Sequence, residues 1–205
     1  MTTIAPPPEI IHPLYSPNRA CTACALVSTC TGPVPGTGPS QARVMIVGEA
    51  PGQHEDERVP FPLPFQGPSG QYLDSLLQWL KIPRSFVYVT NVVKCRPTNN
   101  RDPVESEIQT CAGLWLDTEI WMVKPEIIVT LGVFATRYIT GLSETMEHLH
   151  GVPLENVMCP GGYKAPIVLP VYHPAAALRE RGGEDAGSVL MRHIRAISKS
   201  DRKST

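Results

Sequence analysis

An apolar run of four residues, Val44-Met45-Ile46-Val47, breaks abruptly into Gly48-Glu49-Ala50-Pro51-Gly52. No other stretch restricts the fold as sharply. The run has the composition of a buried strand. Two glycines and a proline within five residues cannot continue a strand, so the chain turns there. A charged cluster follows, Glu55-Asp56-Glu57-Arg58, then a Pro/Phe-rich segment ending in Phe65-Gln66-Gly67, and a helical pattern begins near Ser69. Open α/β sheets place ligands in loops beyond the carboxyl ends of their strands. A turn at that place, with free backbone N–H groups, a small residue and several carboxylates, is a site candidate. A tight connection without function is the plain alternative. The stretch has neither the GK[ST] ending of a P-loop nor GxGxxG, and its carboxylates would repel a polyphosphate.

The rest of the chain alternates in the same way. Tyr72, Leu73, Leu76, Leu77 and Leu80 fall on one face of a helix over 70–80. A second strand is expected at 86–89, ending at Thr90-Asn91. Asp102-Pro103-Val104-Glu105 combines an N-cap, proline at the first helical position and glutamate at the third, which predicts a helix from there to about Val123. A third strand is expected at 126–131, a helix over 134–139, and a fourth strand at 166–172 running into His173-Pro174. Residues 141–165 read as irregular, with a hairpin as the regular element they could contain. A last amphipathic helix is expected at 187–198. Strands alternating with helices argue an α/β fold, a parallel sheet with helices on both faces. Gly48-Glu49, Asn91 and His173 then lie along one edge of it.

Length and composition set outer limits. The 205 residues suit a single domain with its own core, preceded by a Pro-rich arm at 1–20. Net charge is −1, so any nucleic-acid contact must be a local patch. No 18-residue apolar run is present, and residues 1–20 lack the apolar core of a signal peptide, so the expectation is a cytoplasmic protein away from membranes. In that setting six cysteines suggest metal or redox chemistry more than disulfides. Cys21 and Cys24 form a CxxC pair in the arm, and Cys95 and Cys111 flank a strand end and a helix. Two distant pairs suit a tetrahedral zinc or a [4Fe–4S] cluster, and spacing alone does not choose. Cys30 is a spare candidate, whereas Cys159 reads as incidental.

The polar edge has its own logic. An amide such as Asn91 matches a pyrimidine edge with one donor and one acceptor. Phe65 offers a ring on which a base could stack. An acidic loop, an aromatic, an amide and a histidine together can hold a flipped base, read it and stabilise charge as it leaves. Taken singly, each has a structural alternative: a core phenylalanine, a turn asparagine, a structural histidine.

With CTAC, GEAPGQHED, PFQGPSG, TNVVKCRPTNNRDP with Cys111 downstream, and HPAAAL in this order, the chain resembles the family-4 uracil-DNA glycosylases, the iron–sulfur group of thermophile type. The resemblance runs from about Cys21 to the last predicted helix. It implies a three-layer α/β/α fold on a four-stranded parallel sheet. It also implies a structural [4Fe–4S] cluster on Cys21, Cys24, Cys95 and Cys111. The implied activity is hydrolysis of the N-glycosidic bond of deoxyuridine in DNA, by a monomer acting on single- or double-stranded substrate. Gly48, Glu49 and Ala50 would border the uracil, Phe65 stack on it and Asn91 bind its edge, with His173 against a carbonyl oxygen. Glu55 and Asn100 match supporting positions. Ala50 stands where classical uracil glycosylases have an aspartate, which leaves Glu49 and Glu55 as the candidates for activating water. Leu178 is a candidate wedge in the duplex, with Arg179 and Arg181 near phosphates.

Two departures stand out. Cys30 occupies a position where the family more often has arginine. The segment before Phe65 is slightly long, and the PFQG context selects Phe65 over Phe61. The stretch CRPTNNRDP lacks the basic, His-containing insertion of a relative that traps uracil-DNA covalently, so ordinary turnover is expected. The rival readings are a glycosylase of broader base specificity, a non-catalytic metal-containing DNA-binding module, and a ferredoxin-like electron carrier.

Overall fold

The computed structural model describes residues 18–58 and 61–175. Leu178, Arg179, Arg181, the predicted helix at 187–198 and most of the Pro-rich arm lie outside them. The chain builds a five-stranded sheet from β1 (Val44–Gly48), β2 (Val87–Asn91), β3 (Ile127–Leu131), β4 (Leu154–Met158) and β5 (Lys164–Val171). Its order is β2-β1-β3-β5-β4. The first four of these neighbours run parallel, with Val44 opposite both Val87 and Ile127, and Ile127 opposite Ile167. β4 pairs antiparallel with β5 as a hairpin at the edge. The expected four strands are therefore five. Residues 141–165 contain that hairpin's first arm and a short helix besides.

β1 is an interior strand between β2 and β3, and its side chains alternate between two cores. Ile46 packs with Val87, Val89, Ile127, Val129, Leu169 and Val171 on one face. Met45 and Val47 pack with Tyr88, Ile128 and Val168 on the other. A strand buried on both faces needs a continuous apolar run, and VMIV supplies it. Helix α2 (Pro68–Trp79) covers the first face through Leu73 and Leu77. α3 (Glu105–Cys111), α4 (Asp117–Val123) and α5 (Val133–Thr140) cover the second, with Ile108, Leu116, Ile120 and Ile139 in its core. Each such fully buried aliphatic side chain contributes about 1.5–3 kcal/mol. Among the described residues no helix is long and apolar enough to cross a membrane.

Two predicted boundaries move. The helix expected from Asp102 starts at Glu105, with Val104 as its N-cap. The carboxylate of Glu107, not Glu105, accepts the free cap N–H of Val104 at 2.9 Å, and the same carboxylate pairs with Arg101 at 2.7 Å. That ion pair holds Arg101-Asp102-Pro103 extended over the sheet edge. The helix is also not continuous. Ala112–Leu116 forms a π-helical turn between α3 and α4, directly after Cys111. Because β1, β2, β3 and β5 are parallel, Gly48, Asn91, Leu131 and Val171 end at one edge, where ligands bind in such sheets.

Candidate active site

That edge carries a cleft of about 490 Å3, lined by Glu49, Ala50, Glu55, Phe65, Asn91, Asn100 and His173 among others. Seven of the residues singled out from the sequence thus converge on one space. Gly48 lies beneath it. A Cβ on Gly48 would collide with the Phe65 ring and the Asn91 Oδ1. Glycine there lets ring and amide share one floor. Phe65 has a left-handed backbone (φ 58°), and its carbonyl abuts Gly70 in the first turn of α2, where any Cβ would overlap it. The PFQGPSG segment is thus a backbone device that turns a phenylalanine under the cleft. Its ring centroid lies 6.3 Å from that of His173.

Asn91 is 2% exposed and its Oδ1 has no hydrogen-bond partner among the described residues. A buried, unsatisfied amide oxygen costs about 1–3 kcal/mol, and its place at the cleft floor marks it as a group that a ligand completes. His173 accepts the Ala175 N–H on Nδ1 at 3.2 Å. A nitrogen that accepts carries no proton in the neutral ring, so the neutral ring carries its proton on Nε2. Glu49 is half-buried. Burial, with the Asp102 charge nearby, pushes its carboxyl up to about 7.

Glu55 is differently employed. Its Oε1 accepts the N–H groups of Gln66 at 2.6 Å and Gly67 at 3.0 Å, and its Oε2 accepts Gly52 N–H at 3.0 Å. It sits in the short helix α1 (Gln53–Asp56) and staples the two halves of the loop together. Its neighbour Asp56 accepts the Thr31 N–H at 2.7 Å, which ties the loop to the cysteine arm. Asn100, exposed in a left-handed turn (φ 54°), accepts from Arg96 Nε at 2.7 Å at the cleft mouth.

Cys21, Cys24, Cys95 and Cys111 line one small cavity with Val27, Pro33, Lys94 and Trp115. Trp115, carried by the π turn, donates from Nε1 to the Cys21 sulfur at 3.1 Å, and the Lys94 N–H donates to the Cys111 sulfur at 3.3 Å. Such N–H···S contacts are the setting of thiolate ligands. Burial pushes the Cys111 thiol up to about 11, against the pull of Lys94, and a hydrogen bond with Cys30 together with burial holds Cys95 well above the ordinary thiol range. Binding a metal through these sulfurs would require the thiolate form and release their protons. Among the described residues no three Cys, His, Asp or Glu side chains stand close enough to hold a single metal ion. Cys159 is buried in the core on the α4 side, away from this cavity.

Lys94, Asp56 and Trp115 were not legible as site residues. A lone lysine between apolar residues and a cysteine ordinarily reaches solvent, and nothing local says that this one turns inward. Its ammonium is 1% exposed and pairs with the equally buried Glu119 at 2.8 Å. Lys94 also reaches the carbonyl oxygen of Asn91 at 2.7 Å.

The fold and the cleft define an α/β protein with a polar cleft at the carboxyl edge of its sheet. Residues 35–194 match the model of the Uracil DNA glycosylase superfamily. A type-4 uracil-DNA glycosylase of Sulfurisphaera tokodaii is 43% identical over 78% of this chain and 71% of its own length. One from Archaeoglobus fulgidus is 39% identical over 83% and 84%, and one from Thermotoga maritima 38% over 86% and 87%. The chain belongs to the uracil-DNA glycosylase superfamily and, within it, to the type-4 uracil-DNA glycosylases. These relatives are glycosylases by name, not electron carriers or passive DNA-binding modules.

Proposed function

We propose that this protein removes uracil from DNA by hydrolysing the N-glycosidic bond of a flipped deoxyuridine, leaving an abasic site. One observation carries the reading furthest: the partnerless Asn91 amide oxygen, buried beside the Phe65 ring and under a histidine whose proton sits on Nε2. Phe65 stacks on the base. Asn91 accepts from one edge atom of uracil and donates to the next. Uracil leaves as an anion, and a donor aimed at its developing oxyanion lowers the barrier. His173 supplies that donor while neutral. Glu49 faces the cleft without a hydrogen-bonded donor among the described residues, whereas the Glu55 oxygens are occupied by three N–H groups. We therefore assign water orientation, or stabilisation of the sugar's positive charge, to Glu49, and loop positioning to Glu55.

Cys21, Cys24, Cys95 and Cys111 would hold a [4Fe–4S] cluster, which supplies a structural cross-link when bound. Four cysteines around one cavity match the ligand count of such a cluster, and the likeness to the type-4 glycosylases favours it over a single zinc ion. Leu178 and Arg179 remain candidates for wedging and phosphate contact. We read the chain as one domain that acts as a monomer in the cytoplasm.

The test is an oligonucleotide with one deoxyuridine, in single strand and opposite guanine, treated with alkali after incubation with the protein. Cleavage at the uracil position but not at thymine is expected. His173→Ala should reduce turnover at least about a hundredfold while uracil-DNA binding changes little. No cleavage by the wild-type protein with its cysteine centre intact would overturn the reading.

A further inference from the structure

We propose that Lys94 is a positioning residue that sets the place of the base-reading amide Asn91. This rests on the uracil-excision reading of the cleft. Asn91 is the last residue of β2, and its pairing with Gly48 is the last of the ladder. Beyond it the chain leaves the sheet, anchored by Val92 N–H to Gly48 O and Val93 N–H to Glu49 O. The Asn91 carbonyl has no strand partner to take. Lys94 takes it, at 2.7 Å.

The lysine head is fixed in turn. Its other acceptors are Thr90 Oγ1 at 2.6 Å and Glu119 Oε2 at 2.8 Å. An ammonium has three donors, and all three are engaged. The Thr90 hydroxyl, already accepting from Lys94, donates to the same Glu119 oxygen at 2.8 Å. Glu119 Oε1 accepts the Gly36 N–H at 3.3 Å, so the segment flanking β2 joins the group. Both charged side chains are 1% exposed. A buried pair of this kind adds little to stability compared with apolar residues of equal size. What it does add is geometry: three directed hydrogen bonds define where the strand end lies. A displacement of about 1 Å at such a place costs up to about a hundredfold in rate.

The test uses the full chain with its metal centre. Wild type comes first, since its failure to cut uracil-DNA would sink the underlying reading and not this one. The main variant is Lys94→Met with Glu119→Met, which removes both charges and leaves no buried ion unpaired. The expected result is a kcat at least about tenfold lower, with KM for the uracil oligonucleotide within about threefold, iron content and visible absorption unchanged, and weaker inhibition by free uracil. A wild-type kcat would overturn the proposal, as would a rise in KM alone. Loss of iron in step with kcat would overturn it too, because the effect would then run through the cysteines. If the double variant does not fold, Thr90→Val decides. It is isosteric, leaves the ion pair, and removes one of the three acceptors of Lys94. A fall in kcat of about threefold or more with unchanged iron supports the proposal, and an unchanged kcat overturns it.

Discussion

Glu49 and Glu55 lie six positions apart on the same loop, yet their surroundings give them different work. Glu55 sits among three N–H groups that its oxygens satisfy. Glu49 is half-buried with a second carboxylate, Asp102, facing it, and its carboxyl is raised to about 7 by burial first and that charge second. A raised carboxyl pKa means that the folded protein holds the proton where the unfolded chain has released it. Stability contributed by this group is therefore full below about pH 4 and declines as pH rises from there through 7. In the role proposed for Glu49 activity has the opposite sign, since the ionised form would be the one that orients water. We expect kcat/KM to rise with pH with an apparent pKa near 7, and Glu49→Gln to lower the plateau and flatten that limb. A pH profile of Glu49→Gln with the acid limb intact would remove Glu49 from the role.

At the scale of elements, the loop between β1 and α2 is held from two sides. Glu55 closes it on itself, and Asp56 fastens it to Thr31 of the cysteine arm. Glu55→Ala leaves the N–H groups of Gly52, Gln66 and Gly67 without their acceptor. Each orphaned N–H costs about 1–3 kcal/mol where it stays buried, so the loop opens to water and a net loss of about 2–4 kcal/mol is expected. Phe65 follows Gln66 out of register, and KM for uracil-DNA should rise along with the stability loss, measured by thermal melts and steady-state kinetics. Glu55→Gln, which keeps one acceptor oxygen, should recover part of both. The sequence announced this loop through its glycines and carboxylates but not the division of labour among them, because identical carboxyl groups differ only by which N–H groups the fold brings near.

For the whole molecule, the proposed cluster would be a clasp. It would join the arm before β1 to the stretch after β2 and to α3. Pinning Cys21 and Cys24 to Cys95 and Cys111 closes loops of roughly 70–90 residues, and by the chain-entropy account of cross-links that is worth about 4 kcal/mol. Anaerobic chelation of the proposed cluster should lower Tm by about 8–16 °C. It should also loosen the cleft, since Asp56 and Lys94 hang on the same arm and strand end. Calorimetry with iron assay checks the first, and uracil excision after reconstitution checks the second. A Tm unmoved by complete iron removal would show that the cysteines do not clasp.

The sequence by itself determined the alternation of strands and helices, because apolar period and turn residues are local properties. It also marked Gly48, Glu49, Asn91 and His173 as groups at strand ends, offered Phe65 as a stacking ring, and paired the cysteines by spacing. Only the tertiary structure decided what happens between distant segments. β4 has one weakly apolar face, with just Leu154 and Val157 partly buried, so its period is too faint to read, and its partner β5 makes it a strand. The start of α3 moved because Arg101 claims Glu107. Lys94 and Glu119 lie twenty-five residues apart, and a charge turns inward only when the fold delivers its counter-charge, a fact that no window of sequence contains.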